Sequence, residues 1–286
     1  MHPLKDKVVL ITGGSSGIGR ATALRLAGHG AHLALAARTP AALEQTAAAA
    51  AALGAQALAV PTDVTDREQC RRAVAVTVER FGRLDVLLCS AGISMRAAFD
   101  GSDLDAMERV FRVNFHGTLY ATYFALPHVK RARGSLVAVS SLTGKRGTPS
   151  YAAYSASKFA VQGLYESLRI ELAPEGVHVG VFSPGFVDTP LRERVLGPDG
   201  RTWDKTPPPP FRVWPVEKCV DRIVGLLVKR KGQSLLPGFV GALLALDDLS
   251  NGRLGDWLLA GRFHPEDLVP PEAPRPPDHR GGRGPL

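Results

Sequence analysis

Val8-Val-Leu-Ile-Thr-Gly-Gly-Ser-Ser-Gly-Ile-Gly19 runs directly into a stretch, Arg20 to Gly28, that carries apolar Ala23, Leu24 and Ala27. Val8 to Ile11 is a continuous apolar run rich in β-branched residues, bounded by Lys7 and by glycines, the pattern of a strand buried on both faces. The turn that follows, Gly13 to Gly19, can set bare backbone N–H groups against a phosphate where a helix begins. Glycines alone suit many strand-to-helix turns. Between a buried strand and a helix they point to dinucleotide binding.

The same alternation continues along the chain. His32 to Ala37 reads as a second strand, Pro40 to Leu53 as an alanine-rich helix with proline in its first turn, and Ala55 to Val60 as a third strand. Arg67 to Phe81 is a helix with Asp66 as its N-cap, Asp85 to Cys89 a fourth strand, and Asp103 to Leu126 one long helix. Ser135 to Ser140 is a fifth strand. Tyr151 to Ala173 is a helix with Leu164, Leu168 and Leu172 along one side, and Val177 to Phe182 is a sixth strand. Val216 to Arg230 and Ser234 to Leu236 read as a last helix and strand. This order implies a parallel sheet with helices on both faces, whose ligands bind at the carboxyl ends of the strands. The polar candidates fit that rule. The glycine turn, Arg38, Asp63, Ser90-Ala91-Gly92, Ser141 and Ser183-Pro184-Gly185 each follow one of the six strands.

Tyr154-Ser-Ala-Ser-Lys158 adds chemistry. A Tyr and a Lys four apart on a helix share one face. Bringing a phenol from a pKa of about 10 to about 7 takes about 4 kcal/mol, and one ammonium about 4 Å away at an effective dielectric near 20 supplies roughly that much. At the end of the second strand, where an acidic residue would grip ribose hydroxyls, stands Arg38, with no Asp or Glu before Glu44. A guanidinium can fork a 2′-phosphate that a carboxylate would repel, so NADP(H) is the preferred cofactor; NAD(H) remains possible if Arg38 only faces solvent. Asp63, with Val64, suits an adenine amino group or an Asx-turn. Asn114 is the strongly polar member of a helical stripe with Val110, Gly117 and Ala121, and needs a hydrogen-bond partner there.

Composition narrows the alternatives. The chain has 286 residues, 45% hydrophobic and 22% charged, enough for a substantial core. A net charge of +8 and a pI near 9.7 favour anionic ligands, but no aromatic-basic interleaving or docking motif supports nucleic acid. Cys70, Cys89 and Cys219 are odd in number and widely spaced, and no histidine has a partner at metal-ligand spacing, so neither a disulfide framework nor a metal site is expected. Met1 to Lys7 resembles no targeting signal and no long apolar run exists; a reducing, cytoplasmic setting is expected.

These residues together resemble the short-chain dehydrogenase/reductase family, in its compact single-domain branch. The matches are Thr12 through Gly19, Asp63-Val64, Ala91-Gly92, Val113-Asn114, Ser140-Ser141, Tyr154 through Lys158, and Pro184-Gly185 with Thr189, over roughly residues 5 to 235. One departure is Cys89-Ser90, where the family usually has Asn-Asn, which would loosen a hydrogen bond at the strand end. The resemblance implies a Rossmann-type doubly wound parallel sheet and an NAD(P)-dependent oxidoreductase that interconverts carbonyl and alcohol. Tyr154 would be the general acid or base, Lys158 would lower its pKa and bind the nicotinamide ribose, Ser141 rather than Ser140 would orient the substrate, and Asn114 would hold a water linking Lys158 to solvent. Gly13, Ser15, Ser16, Gly17, Ile18, Gly19, Arg38, Asp63, Val64, Ala91, Gly92, Pro184, Gly185, Val187 and Thr189 would join Tyr154 and Lys158 around the cofactor. A homodimer or homotetramer is expected by the same resemblance.

The carboxyl-terminal third is individual. A stiff segment at about 189–214, with Arg192, Arg194, Trp203 and the prolines Pro207 to Pro210, is expected to arch over the site as a lid, completing a domain that spans 1–238. An apolar extension at 239–263 carries Leu243, Leu244, Leu246, Leu249 and Trp257 among Asp247, Asp248, Arg253 and Asp256. Its acids weigh against anionic lipid, so packing on the domain or on a second subunit is favoured over a membrane surface. The Pro- and Arg-rich stretch at 264–286 is expected to be a disordered tail. The apolar extension favours a lipophilic small-molecule substrate, such as a steroid, retinoid, sphingoid or long-chain ketone. A 3-oxoacyl thioester is the alternative substrate, and a non-catalytic NADP(H)-binding redox sensor the alternative of another class.

Overall fold

The computed structural model describes residues 2–203, 209 and 211–260. Seven strands form one parallel sheet in the order β3-β2-β1-β4-β5-β6-β7: β1 Val8–Thr12, β2 His32–Ala37, β3 Ala57–Pro61, β4 Val86–Cys89, β5 Ser135–Val139, β6 His178–Pro184 and β7 Gln233–Leu236. This is the doubly wound, Rossmann-type architecture. Successive residues of β1 divide between its two cores. Val9 and Ile11 pack with Leu26 of α1 (Gly17–Gly28), Leu43 of α2 (Pro40–Ala52) and Ile223 of α7 (Val216–Val228). Val8 and Leu10 pack on the opposite face with Val74 of α3 (Arg67–Phe81), Ala125 of α5 (Gly117–Arg131) and Tyr165 of α6 (Ala152–Glu171). A strand with both faces covered has no polar side, hence its unbroken apolar run. Asp66 caps α3 as expected, accepting from the backbone N–H of Glu68 and Gln69.

The long helix expected from Asp103 to Leu126 is instead three pieces: α4 Leu104–Phe111, a π-helical turn Arg112–His116, and α5, which continues to Arg131. The π turn holds Asn114, fully buried, and wide turns of this kind are frequent at functional sites. Gly117 follows because a Cβ there would lie 2.7 Å from Val64 Cγ2. Pro127 sits inside α5; the carbonyl it leaves without a donor belongs to Tyr123, whose side chain is exposed to water.

The segment expected to arch over the site as a lid is tied to the domain at several points. Leu196 donates to Ser94 O and accepts from Arg96 N, both at 2.9 Å, while Trp203 N donates to Val195 O at 3.0 Å. At its base, Asp188 N donates to Trp214 O and Trp214 N to Phe186 O, at 2.9 and 2.8 Å. Most of the proline run lies outside the described residues. The apolar extension folds into two helices, α8 Val240–Leu249 and α9 Arg253–Ala260, and the expected tail lies outside the described residues. No described helix is long and apolar enough to cross a membrane.

At the amino edge of the sheet Asp85 is 1% exposed. It accepts from Val8 N at 3.1 Å, from Lys7 Nζ at 3.1 Å, and from both arms of Arg83 at 2.7 and 2.5 Å. Arg83 and Lys7 would return to water if the carboxylate were removed, but Val8 N–H would stay buried without an acceptor. Charge-assisted hydrogen bonds of this kind are worth about 1.5–3 kcal/mol each. Asp85→Ala is expected to cost about 2–4 kcal/mol, read as a lower urea midpoint with an unchanged slope. A loss below about 0.5 kcal/mol would show that the carboxylate merely fills space.

Candidate active site

The carboxyl edge of the sheet opens into one cavity of about 1420 Å³. The β1–α1 turn forms its floor. Gly13 has φ +71°, and a Cβ there would sit 2.8 Å from Ala91 Cα, so only a bare backbone lets this turn lie against the end of β4. Gly19 is required for a second close approach, since its Cβ would fall 2.3 Å from Gly13 O. Ser16 stands at the N-cap of α1 without a side-chain hydrogen bond to the helix, so the first-turn N–H groups remain available to an anion. Ser15, Ser16, Gly17 and Ile18 line the cavity beside them, while Gly19 is buried behind the turn.

The other strand ends converge on the same space. Arg38 is exposed at the end of β2, and Asp63 and Val64 line the cavity beyond β3. Asp63 Oδ1 accepts from Thr65 N and Oγ1 at 2.9 and 2.8 Å, an Asx-turn that aims its carboxylate locally. Ala91 and Gly92 lie over the middle, and Pro184, Gly185, Val187 and Thr189 close the far side after β6. At the Cys89-Ser90 departure the strand end is held from β1 through the backbone. Ser90 N and Ala91 N both reach Thr12 Oγ1, at 3.2 and 3.3 Å, and Ser90 N also donates to Thr12 O at 3.1 Å. Cys89 itself is turned inward, its Sγ 3.6 Å from Tyr165 Oη, and burial pushes its thiol up to about 11. Thr12 was legible as the residue ending β1, but its double acceptor role required the neighbouring strand.

Tyr154, Ser141 and Lys158 meet at the cavity. Ser141 Oγ donates to Pro184 O at 3.4 Å and accepts from Thr143 N at 3.2 Å, and it stands close enough to the Tyr154 phenol to favour its ionised form. Ser140 has a different use: its Oγ donates to Lys158 O at 3.1 Å, tying β5 to α6. Lys158 Nζ donates to Val139 O at 3.0 Å and stands 5.7 Å from the centre of the Tyr154 ring. Among the described residues no hydrogen bond joins the ammonium to the phenol; its acceptor is Val139 O. In the ligand-free chain, burial pushes Tyr154 up to about 12, with Ser141 pulling the other way, and burial brings Lys158 down to about 8. The depressed phenol expected from the Tyr–Lys spacing is not found in the ligand-free chain, because loss of water around the buried phenol is the largest influence on it.

Asn114 lies behind Gly92. Its Oδ1 accepts from Ile93 N at 2.9 Å, and its Nδ2 donates to Ile93 O and to Ser157 Oγ, both at 3.0 Å. Ser157 in turn donates to Tyr154 O at 2.7 Å. Ser157 was missed in the sequence; its signal is a serine in mid-helix three residues after the tyrosine, where a hydroxyl can bond back to the preceding turn. The remaining walls are mostly apolar, with arginines such as Arg146, Arg192 and Arg194 among them; Tyr151 and Phe186 rings lie 6.5 Å apart, with Phe211 a further 6.5 Å from Phe186.

Comparison with known proteins agrees with this geometry. The family model for short chain dehydrogenase matches residues 7–198. The 11-beta-hydroxysteroid dehydrogenase-like 4A protein of Arabidopsis thaliana is 37% identical over 245 residues, covering 85% of this chain and 80% of that protein. The 11-beta-hydroxysteroid dehydrogenase A of Sesamum indicum is 37% identical over 226 residues, 76% of this chain and 65% of its own. A crystal structure from Sinorhizobium meliloti, assigned as a short-chain alcohol dehydrogenase, aligns with a TM-score of 0.62 at 32% identity over 65% of this chain and 74% of that one.

Lys158 generates a testable trade-off. A lysine whose folded pKa of about 8 lies below an unfolded value of about 10.4 makes its full contribution to stability only above the unfolded value, and loses it as pH falls through the folded one. At neutral pH the folded chain therefore carries the cost of a buried ammonium. Lys158→Met is expected to stabilise the cofactor-free protein by about 1–3 kcal/mol near pH 7, and by progressively less as pH approaches about 10, measured by urea unfolding across that range. A destabilised variant at neutral pH would show that the Val139 hydrogen bond outweighs desolvation.

Proposed function

Because the chain belongs to the short-chain dehydrogenase family, and so is an NAD(P)-dependent oxidoreductase of CH–OH groups and carbonyls, we propose that it uses NADP(H) on a lipophilic alcohol or ketone with Tyr154 as acid and base. The observation that carries this reading is the meeting of Tyr154, Ser141 and Lys158 on a cavity whose outer walls are mostly apolar. The names of the plant relatives, hydroxysteroid dehydrogenases and proteins like them, support a bulky lipophilic substrate.

The residues present fit a dinucleotide: a glycine cradle that a Cβ would fill, uncommitted N–H groups at a helix start, and a guanidinium beyond β2. Ser15, Ser16, Gly17 and Ile18 would hold the pyrophosphate, Arg38 the 2′-phosphate, and Asp63 and Val64 the adenine. Ala91 and Gly92 would pack along the cofactor's middle, Lys158 would bind the nicotinamide ribose, and Pro184, Gly185, Val187 and Thr189 would hold the ring end. When bound, the nicotinamide supplies or takes up the hydride. Tyr154 gives its proton to the carbonyl oxygen in reduction and removes one from the alcohol in oxidation. With its pKa near 12 in the ligand-free chain, the phenol stands protonated across the neutral range, the form that reduction requires. Ser141 steadies the developing charge on the substrate oxygen. Asn114, whose side-chain donors and acceptor are engaged by Ile93 and Ser157, acts by holding the loop after β4 and the Tyr154 turn in register rather than by gripping a water with its amide. Exposed Tyr123 on α5 and Ile170 on α6 support self-association as a dimer or tetramer.

Tyr154→Phe removes the proton without moving the ring. Turnover is expected to fall at least about a hundredfold while NADPH affinity changes less than about twofold; a variant keeping more than about a tenth of wild-type turnover overturns the assignment. Arg38→Ala is expected to weaken NADPH about ten- to a hundredfold and leave NADH nearly unaffected, by fluorescence titration of both cofactors. Tighter wild-type binding of NADH than of NADPH would reverse the cofactor preference.

A further inference from the structure

Arg146 lies on the loop between Ser141 and Tyr154, the two groups proposed to touch the substrate oxygen. Its neighbour Lys145 turns back to the domain, pairing with Glu166 of α6 at 2.9 Å. Arg146 turns the other way, into the carboxyl-terminal helix pair. Its Nη2 donates to Gly252 O at 2.9 Å, in the turn between α8 and α9, and to the exposed carboxylate of Asp256 on α9. Its Nε lies 3.1 Å from Oδ2 of Asp247 on α8, an ion pair whose acid is 6% exposed.

Asp247 is itself built into the helix pair. Its Oδ1 accepts from Gly255 N at 2.7 Å, and its backbone carbonyl accepts from Ser250 and Gly252. Gly255 has no room for a side chain, since a Cβ would come within 2.5 Å of Arg146 Nε and 2.6 Å of Asp247 Oδ2. One guanidinium thus touches both helices and the turn that joins them. The inner side of the pair is mostly apolar: Val240, Leu243, Leu244, Leu254, Leu258 and Leu259 line the same cavity as Tyr154, and Arg146 and Asp247 reach it too.

We propose that Arg146 is a specificity-determining positioning residue, clasping α8 and α9 in place as the outer wall of a pocket for a bulky apolar substrate. The proposal rests on reading the cavity as an alcohol–carbonyl oxidoreductase site. A substrate large enough to reach the helix pair gains the wall's apolar contact only when the wall is held; a small ketone bound at Tyr154 and Ser141 does not reach it. Loss of the clasp should therefore raise KM for the large substrate selectively, because the wall is remote from the bond that reacts. Removing the arginine also leaves Asp247 largely buried without its counter-charge, which favours opening of the helix pair over rearrangement of the sheet.

The test uses the full chain, with Arg146→Met as the main variant and Asp256→Asn, which spares the buried pair, as the second. Hydrogen exchange across 240–260 is expected to quicken by about tenfold in Arg146→Met, with the sheet strands unchanged. In NADPH-dependent reduction, KM for androstenedione is expected to rise about tenfold with kcat nearly constant, while KM for cyclohexanone and NADPH affinity stay within about twofold. Asp256→Asn should shift the same two readouts in the same direction by a smaller factor. Unchanged exchange, or a KM ratio between the two ketones that does not move, overturns the clasp. If Arg146→Met does not fold, Asp256→Asn decides alone, and an unmoved exchange pattern there is a refutation. A wild type that binds NADPH but reduces neither ketone would count against the oxidoreductase reading, and the exchange measurement would still decide whether Arg146 holds the helices.

Discussion

At the carboxyl edge of the sheet the strand order reverses between β1 and β4, and everything the molecule can bind depends on how those two strands are joined there. Crossovers from the two strands leave in opposite directions, so a crevice opens at that edge whatever the side chains. Thr12 bridges the reversal with its carbonyl and its hydroxyl, taking the N–H groups of Ser90 and Ala91. Gly13 then lets the next turn lie directly on Ala91. The uncapped start of α1 is aimed by these few backbone contacts, and the loop after β4 is fixed opposite it. Asn114 holds that loop from behind, and through Ser157 it reaches the tyrosine turn of α6.

The electrostatics of the site follow from the same enclosure. A phenol and an ammonium brought together in water would each be shifted mainly by the other. In this cavity both have lost solvent first, and each is driven toward its neutral form. The chain alone therefore holds a weakly acidic tyrosine and a lysine poised near its own titration point. Such a pair responds to whatever charge is placed beside it, because on balance burial disfavours the ionised state of each group.

Strand positions, sheet direction and the clustering of polar residues at one edge were legible in the sequence because they are local consequences of apolar runs and glycine turns. His32–Ala37 and Arg67–Phe81 have the boundaries read from the sequence. The break in the long helix was not legible, since nothing in Val110, Asn114, Gly117 and Ala121 distinguishes a 3.6-residue stripe from one with a wide turn in it. The cause lies in tertiary contacts, with Ile93 and Val64, that are far away in sequence. The direct Tyr–Lys attraction was over-read for a related reason: spacing fixes which face two side chains share, but not how much water remains between them. Arg146 gave no signal at all, because its meaning depends on two helices about a hundred residues later in the chain.

The pinned base of the segment after β6 bears on how such a molecule can change over evolutionary time. Val187 and Trp214 are bridged in parallel fashion, so the chain leaves and rejoins the domain at a fixed gate. The entropy of closing the stretch between them grows only with the logarithm of its length, about 0.6 kcal/mol per doubling. Insertions, deletions and wholesale exchange of that stretch can thus be absorbed without altering the sheet or the cofactor floor. The fold separates a floor set by the sheet from a stretch whose length and sequence can vary while the sheet goes on folding unchanged.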